Sequence, residues 1–249
     1  MGAGHDRGLF WQEIQGFEDG MKPIAELRES ESWIFDLDNT LYPASTGLMA
    51  QVSSRMTAFV ADLLRVEPEH ALVEQKRMFR EHGTTLRGLM NDHAVDPTEF
   101  MNYVHAVDYG LVDASPRLAR ALDALPGQKI IYTNASVAHA ETVLDRLGVG
   151  HAFTGIFDVA AADYVPKPHP RSYNILAARH AVDPGHAVMV EDLAHNLAPA
   201  AAMGMTTVWV QADGHADTHW AAPGEDDDHV HHRTDDLVGW LEDVVAAQG

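Results

Sequence analysis

No cysteine occurs in the 249 residues, which excludes disulfide staples and thiolate metal sites and is compatible with a cytoplasmic protein. Basic residues are scarce: 17 against 37 acidic ones, a formal net charge of −20. Every contact with a polyanion is opposed by that balance, so nucleic-acid polymers and anionic membranes are poor partners. A small phosphorylated substrate stays compatible, because a local metal ion and one or two buried cations override the global field. Long apolar runs are missing too. With no 18-residue apolar span and no apolar signal region after Met1, the chain is expected to be soluble and cytoplasmic. Internal repeats and low-complexity tracts are absent. What is present is a 46% hydrophobic fraction, enough for the core of one α/β domain with an inserted subdomain, or of two small domains.

The most informative stretch is Trp33-Ile34-Phe35-Asp36-Leu37-Asp38-Asn39-Thr40-Leu41-Tyr42. Its apolar start reads as a strand covered on both faces, since alternation is absent. At period two, Asp36 and Asp38 project to the same side where the strand ends. Two neighbouring carboxylates repel unless a cation sits between them, which points to a hard metal with oxygen ligands. One carboxylate is then free to act as nucleophile and the other to handle protons. A strand whose polar end merely turns into solvent, capped by Asp and Asn, is the plainer alternative.

Beyond this strand the chain changes character twice. Residues 46–65 carry Leu48, Val52, Met56, Phe59, Val60, Leu63 and Leu64 at helical spacing, and further helices are expected near 68–81, 85–94 and 97–107. From Pro116 helices and strands alternate: strands at 129–133, 156–160, 187–191 and 206–210, helices at 118–125, 136–147, 170–181 and 194–203. Such βαβ alternation implies right-handed crossovers and a doubly wound, mainly parallel sheet. The expected organisation is an N-terminal extension over 1–29, an α/β core over 30–45 and 111–249, and an inserted α-helical cap over 46–110. Ligands of such sheets bind outside the carboxyl ends of the strands. Asp36 and Asp38, Thr133 and Asn134, and Glu191 and Asp192 close their strands at that edge, and Lys167 joins them from the loop after the 156–160 strand.

In this order and at these strand ends, the residues resemble the four motifs of the haloacid dehalogenase superfamily. Asp36-Leu37-Asp38-Asn39-Thr40 is similar to the first motif, Thr133-Asn134 to the second, Lys167 to the third, and Glu191-Asp192 with Asn196 to the fourth. The resemblance implies that Asp36 attacks phosphorus to form an aspartyl-phosphate, while Asp38 protonates the leaving alcohol and then activates water. Thr133 would bond a phosphoryl oxygen and Lys167 would offset negative charge. Mg2+ would be held by Asp36, the backbone carbonyl of Asp38 and Asp192, with Glu191 acting through a metal-bound water. Asn196 stands where a second acid is often found, so it would give Lys167 a hydrogen-bonding partner rather than a full counter-charge.

The position of the insert resembles the all-helical cap type of this superfamily. Within it, Tyr42-Pro43, Gly83 to Leu89 and Tyr109 to Pro116 resemble the pyrimidine 5′-nucleotidase branch. That resemblance implies a nucleoside monophosphate as substrate, with Tyr42, Thr84, Thr85, Arg87 and Asn134 binding it; an inter-helix loop with a Thr N-cap is the alternative. Phosphatases of phosphoglycolate or sugar phosphates share every core residue. A dehalogenase would need neither Mg2+ nor Asp38 as acid. A phospho-accepting receiver module would lack a large helical cap over its aspartate. The chain is expected to work as a monomer or homodimer. His229, His231 and His232 beside Asp226 to Asp228 suggest metal ligands but follow no fixed spacing, and read instead as a solvated strand or loop leading into a helix capped at Thr234.

Overall fold

A computed structural model describes residues 23–211 and 228–247. Among these, six parallel strands form one sheet: β1 (Ser32–Phe35), β2 (Gln128–Tyr132), β3 (Gly155–Phe157), β4 (Ala187–Glu191), β5 (Thr206–Val210) and β6 (His232–Thr234), in the order β3-β2-β1-β4-β5-β6. Nine α-helices accompany them among the described residues: α1 (Leu48–Leu64), α2 (Pro68–His82), α3 (Thr85–His93), α4 (Pro97–Val104), α5 (Pro116–Ala124), α6 (Val137–Leu147), α7 (Pro170–His180), α8 (Ala194–Ala202) and α9 (Leu237–Ala246).

The central strand shows why the sheet is doubly wound. Trp33 and Phe35 point into one core, with side chains from α5, α6 and α9, and Ile34 points into the other, with side chains from α7 and α8. Burying each of these side chains is worth about 1.5–3 kcal/mol, which explains an apolar run without polar alternation. The helices α1 to α4 follow β1 and build a third core from residues including Val52, Val60, Met78, Leu89, Phe100 and Val104. Gly88 allows α3 to lie close on α2, since a Cβ there would stand 2.6 Å from the Cβ of Met78. Within the expected extension, Ile24–Glu29 forms a 3-10 turn whose Leu27 is fully buried in the sheet core; residues 1–22 lie outside the described residues.

Three local expectations need correcting. β3 ends at Phe157 rather than Ala160, because the Asp158 carboxylate accepts the Ala161 and Val137 amides and turns the chain. Residues 232–234 take the strand form of the two open readings, but the last helix is capped by Asp236, which accepts from Gly239 N at 3.0 Å, not by Thr234. α4 ends at Val104, three residues early, and releases His105 to pack elsewhere.

Candidate active site

Parallel register sets the site. Phe35 lies beside Ile131 of β2 and Val190 of β4, so the next residues, Asp36, Tyr132 and Glu191, emerge together at the carboxyl edge. The Asp36 amide still bonds Val190 O at 2.9 Å, which locks the first carboxylate to the end of the sheet. Lys167 is 2% exposed and its Nζ donates to Asp36 Oδ1 at 2.6 Å, Glu191 Oε1 at 2.8 Å and Tyr132 O at 2.9 Å. All three ammonium protons are therefore used. Asn134 holds the Lys167 backbone, accepting its N–H at 2.9 Å, and Thr40 Oγ1 donates to Asp36 Oδ2 at 2.7 Å.

Asp36, Glu191 and Asp192 bring carboxylate oxygens within 4.8 Å of one another, all buried. Burial above all pushes the Asp36 carboxyl up to about 7; Lys167 works against this, while Glu191 and Asp38 add to it. Burial also holds the Asp192 carboxyl well above the usual range, reinforced by the charges of Glu191 and Asp36. Burial would raise Glu191 too, but Lys167 and the Leu193 amide, 2.7 Å from Oε2, keep it below. Such crowding requires a proton or a cation among the carboxylates. Two further acceptors, Asn39 Oδ1 and Asn196 Oδ1, are buried without a hydrogen-bond partner among the described residues. An all-oxygen donor set with unmet acceptors beside it fits a hard divalent cation such as Mg2+.

Asn196 does not sit as the sequence suggests. Its NH2 donates to Glu191 Oε1 at 2.6 Å while its Oδ1 accepts nothing from Lys167, and Glu191 itself supplies the full counter-charge to that lysine. Asp38 lies apart from the lysine: its Oδ1 accepts from Tyr42 OH at 2.6 Å and from His139 Nε2 at 2.8 Å. Burial would raise the Asp38 carboxyl, yet His139 and the Tyr42 hydroxyl outweigh it and hold it below the usual range. Burial likewise pushes the His105 imidazole down to about 3, whereas His139, opposed by burial but facing Asp38, is raised.

A cavity of about 240 Å3 opens above this cluster. Asp36, Asp38, Thr133, Asn134, Lys167, Glu191 and Asp192 line one end, and Met49, Val52, Phe79, Leu86 and Phe100 line the other, with Ser53, Gln75, Thr84 and Thr85 as polar points. The Thr133 hydroxyl accepts the Ala135 amide at 3.0 Å and keeps its own proton for a ligand. Tyr42 is buried against Asp38 and is not part of the lining, nor is Arg87, whose backbone amide is capped by Thr84 Oγ1 at 3.1 Å. His105 lines the cavity, and it, His139 and Tyr109 are the residues that sequence patterning misses. The available signal is a histidine on the apolar stripe of α6 with Ala140, Val143, Leu144 and Leu147, all buried.

The suspected histidine cluster has structural partners: His231 Nδ1 meets the Thr207 amide at 3.0 Å and His229 Nε2 bonds Ala194 O at 2.7 Å. Asp226 and Asp227 lie outside the described residues. No helix among the described residues is long and apolar enough to cross a membrane.

Known proteins share sequence and fold with this chain. A yeast relative, phosphate metabolism protein 8 of Saccharomyces cerevisiae, is 23% identical over 191 residues, covering 70% of this chain and 59% of that protein. A CBBY-like protein of Arabidopsis thaliana is 33% identical over 115 residues, or 45% of this chain and 36% of its own length. The chain thus spans less than two thirds of either relative. Among solved structures, a HAD phosphatase from Thermococcus onnurineus superimposes with a TM-score of 0.59 at 16% identity, covering 88% of this chain and 99% of that one. A 2-haloacid dehalogenase from Pseudomonas syringae gives 0.51 at 22%, covering 88% and 100%. These similarities show a shared fold. The sequence pattern of haloacid dehalogenase-like hydrolases matches residues 33–204, from β1 to the turn after α8 and so through every strand-end residue above, and the chain belongs to that family of hydrolases.

Proposed function

We propose that the protein is a Mg2+-dependent phosphomonoester hydrolase acting through an aspartyl-phosphate, with a pyrimidine nucleoside monophosphate as substrate. The observation that carries this reading is the contact of Lys167 with both Asp36 and Glu191 beside Asp192: a buried cation, a nucleophile and a carboxylate cluster at one end of a covered cavity. Asp36, Asp192 and the backbone carbonyl of Asp38 would hold Mg2+, with Glu191 acting through a bound water. When bound, the ion neutralises phosphoryl charge and orients the phosphate.

Asp36 attacks phosphorus, the ester P–O bond breaks, and the departing alkoxide takes a proton from Asp38. Asp38 then takes a proton from water, whose oxygen attacks the phosphoryl group and frees the Asp36 carboxylate. Lys167 balances the charge at Asp36, and Thr133 donates to a phosphoryl oxygen. A receiver-like binding module fits less well, because the block α1 to α4 covers the aspartate with its own core and an apolar cavity wall. That block is the cap of this reading, spanning residues 46–110 between core segments 30–45 and 111–249.

The substrate assignment rests on the far wall. Apolar side chains beside the hydroxyls of Thr84 and Thr85 suit the faces and the edge of a base. Thr84 and Thr85 supply the polar contacts to that base, with Asn134 nearer the phosphate; Arg87 and Tyr42 would reach the ligand only on cap movement. A phosphate-release screen with uridine and cytidine monophosphates, their purine counterparts, phosphoglycolate and sugar phosphates tests this. Pyrimidine nucleotides should turn over fastest; a faster purine nucleotide or phosphoglycolate overturns the substrate assignment, and no release from any ester overturns the phosphatase reading.

A further inference from the structure

We infer that His139 is a positioning residue for Asp38, and that both connections of the helical block to the sheet converge on the same carboxylate. The inference rests on the reading of Asp38 as the proton donor to the leaving group. Asp38 Oδ1 receives two hydrogen bonds, from Tyr42 OH at 2.6 Å and from His139 Nε2 at 2.8 Å. Oδ1 already accepts from the Tyr42 hydroxyl and, with the proton for the leaving group on Oδ2, stays an acceptor, so the imidazole donates through Nε2. The His139 side chain is fully buried, and its ring is held on two further sides. Tyr109 OH stands 3.0 Å from His139 Nδ1 and 3.0 Å from His105 O. The His105 ring stacks on the His139 ring at 4.2 Å between centroids and 23° between planes, while its Nδ1 meets Ser136 Oγ at 3.2 Å.

These partners come from separate parts of the chain. Tyr42 lies on the first connection, between β1 and α1, and His105 and Tyr109 lie on the second, between α4 and α5; His139 belongs to α6 of the sheet core. The imidazole is therefore a post fixed in the core, and the two connections close around it. Two donors on one oxygen fix the carboxylate's rotation, and Oδ2 takes no hydrogen bond from the described residues while Asp38 lines the cavity. Where the helical block sits then decides how the proton donor is held.

Leaving-group dependence separates this role from a merely structural one. Phenyl phosphate and p-nitrophenyl phosphate have similar shapes, but the nitrophenolate departs with little need of a proton. Full-length protein with Mg2+ is assayed as wild type, Asp38→Asn, His139→Leu, His139→Gln and Tyr109→Phe, with thermal melting to verify folding. For His139→Leu, kcat/KM should fall about 30- to 100-fold on phenyl phosphate and less than about 5-fold on p-nitrophenyl phosphate, as expected for a misplaced general acid. His139→Gln keeps an N–H donor and should recover most of the loss. Tyr109→Phe should show the same preference at about 3- to 10-fold, and decides the matter where His139→Leu does not fold. Equal losses on both esters, a Gln variant as poor as Leu, or no loss overturns the inference. If Asp38→Asn itself keeps wild-type kcat/KM on phenyl phosphate, the reading of Asp38 has failed; if Asp38→Asn is impaired and the His139 and Tyr109 variants are not, only this inference has.

Discussion

Replacing Lys167 by Met removes one charge while nearly keeping side-chain length, and tests how the carboxylate cluster is held together. The ammonium contacts Asp36 at 2.6 Å and Glu191 at 2.8 Å with 2% of its surface exposed, so solvent cannot replace it. Removing one partner of a buried ion pair costs about 3–5 kcal/mol, because the remaining charge is left uncompensated. Here two carboxylates lose their counter-ion and Asp192 adds a third. Urea unfolding in chelator at pH 8 should therefore show a deficit of that size. The sign of the pH dependence follows from Asp36, whose carboxyl is raised mainly by burial, to about 7 against 3.8 for a free carboxyl. A raised folded-state value gives stability that is present below the unfolded pKa and lost as pH rises through the folded one. Without Lys167 the carboxyl rises further, so the deficit should grow from pH 5 to pH 8 and shrink at pH 8 when Mg2+ is added. A deficit below about 1 kcal/mol at pH 8, or one indifferent to both pH and Mg2+, refutes the reasoning.

Three other outcomes follow from the same cluster. Because protons occupy the raised Asp36 and Asp192 carboxyls, Mg2+ must displace them, and its apparent affinity by calorimetry should weaken as pH falls below about 7; a flat profile removes these groups from the metal site. Asp192→Ala should raise the Mg2+ concentration needed for half-maximal turnover at least tenfold, a shift of about 1.4 kcal/mol, and an unchanged requirement excludes it as a ligand. Chelation with EDTA should abolish turnover, and Mg2+ should restore it better than Ca2+, which takes more ligands at longer distances.

Strand-end chemistry was legible because two strong rules act together: parallel strands pair in register, and ligands gather at their carboxyl ends. Asp36, Thr133, Lys167, Glu191 and Asp192 could thus be placed together without knowing any helix orientation. Side-chain partners were harder. The rotation of α8, which spacing does not determine, brings the Asn196 NH2 to Glu191 and leaves its Oδ1 without a bond from Lys167. His139 reaches Asp38 across 101 positions of sequence, and nothing local distinguishes it from a satisfied core histidine. Arg87, named through the resemblance of the 83–89 segment, follows a Thr cap on α3 and is not among the residues lining the cavity, a placement that depends on helix rotation rather than on spacing. For β6 the sequence left strand and loop both open, because three residues rich in polar side chains, at a sheet edge, lack the apolar run that marks the inner strands.

The most direct test of the account is to catch the phosphoryl group on Asp36. Protein mixed with labelled p-nitrophenyl phosphate and Mg2+, quenched in acid during turnover and mapped by peptide mass spectrometry, should carry one hydroxylamine-labile phosphoryl group on the peptide containing Asp36. Asp36→Asn should carry none and turn over nothing, since an amide cannot serve as the acceptor. Turnover by Asp36→Asn at the wild-type rate, or label on another residue, would contradict it.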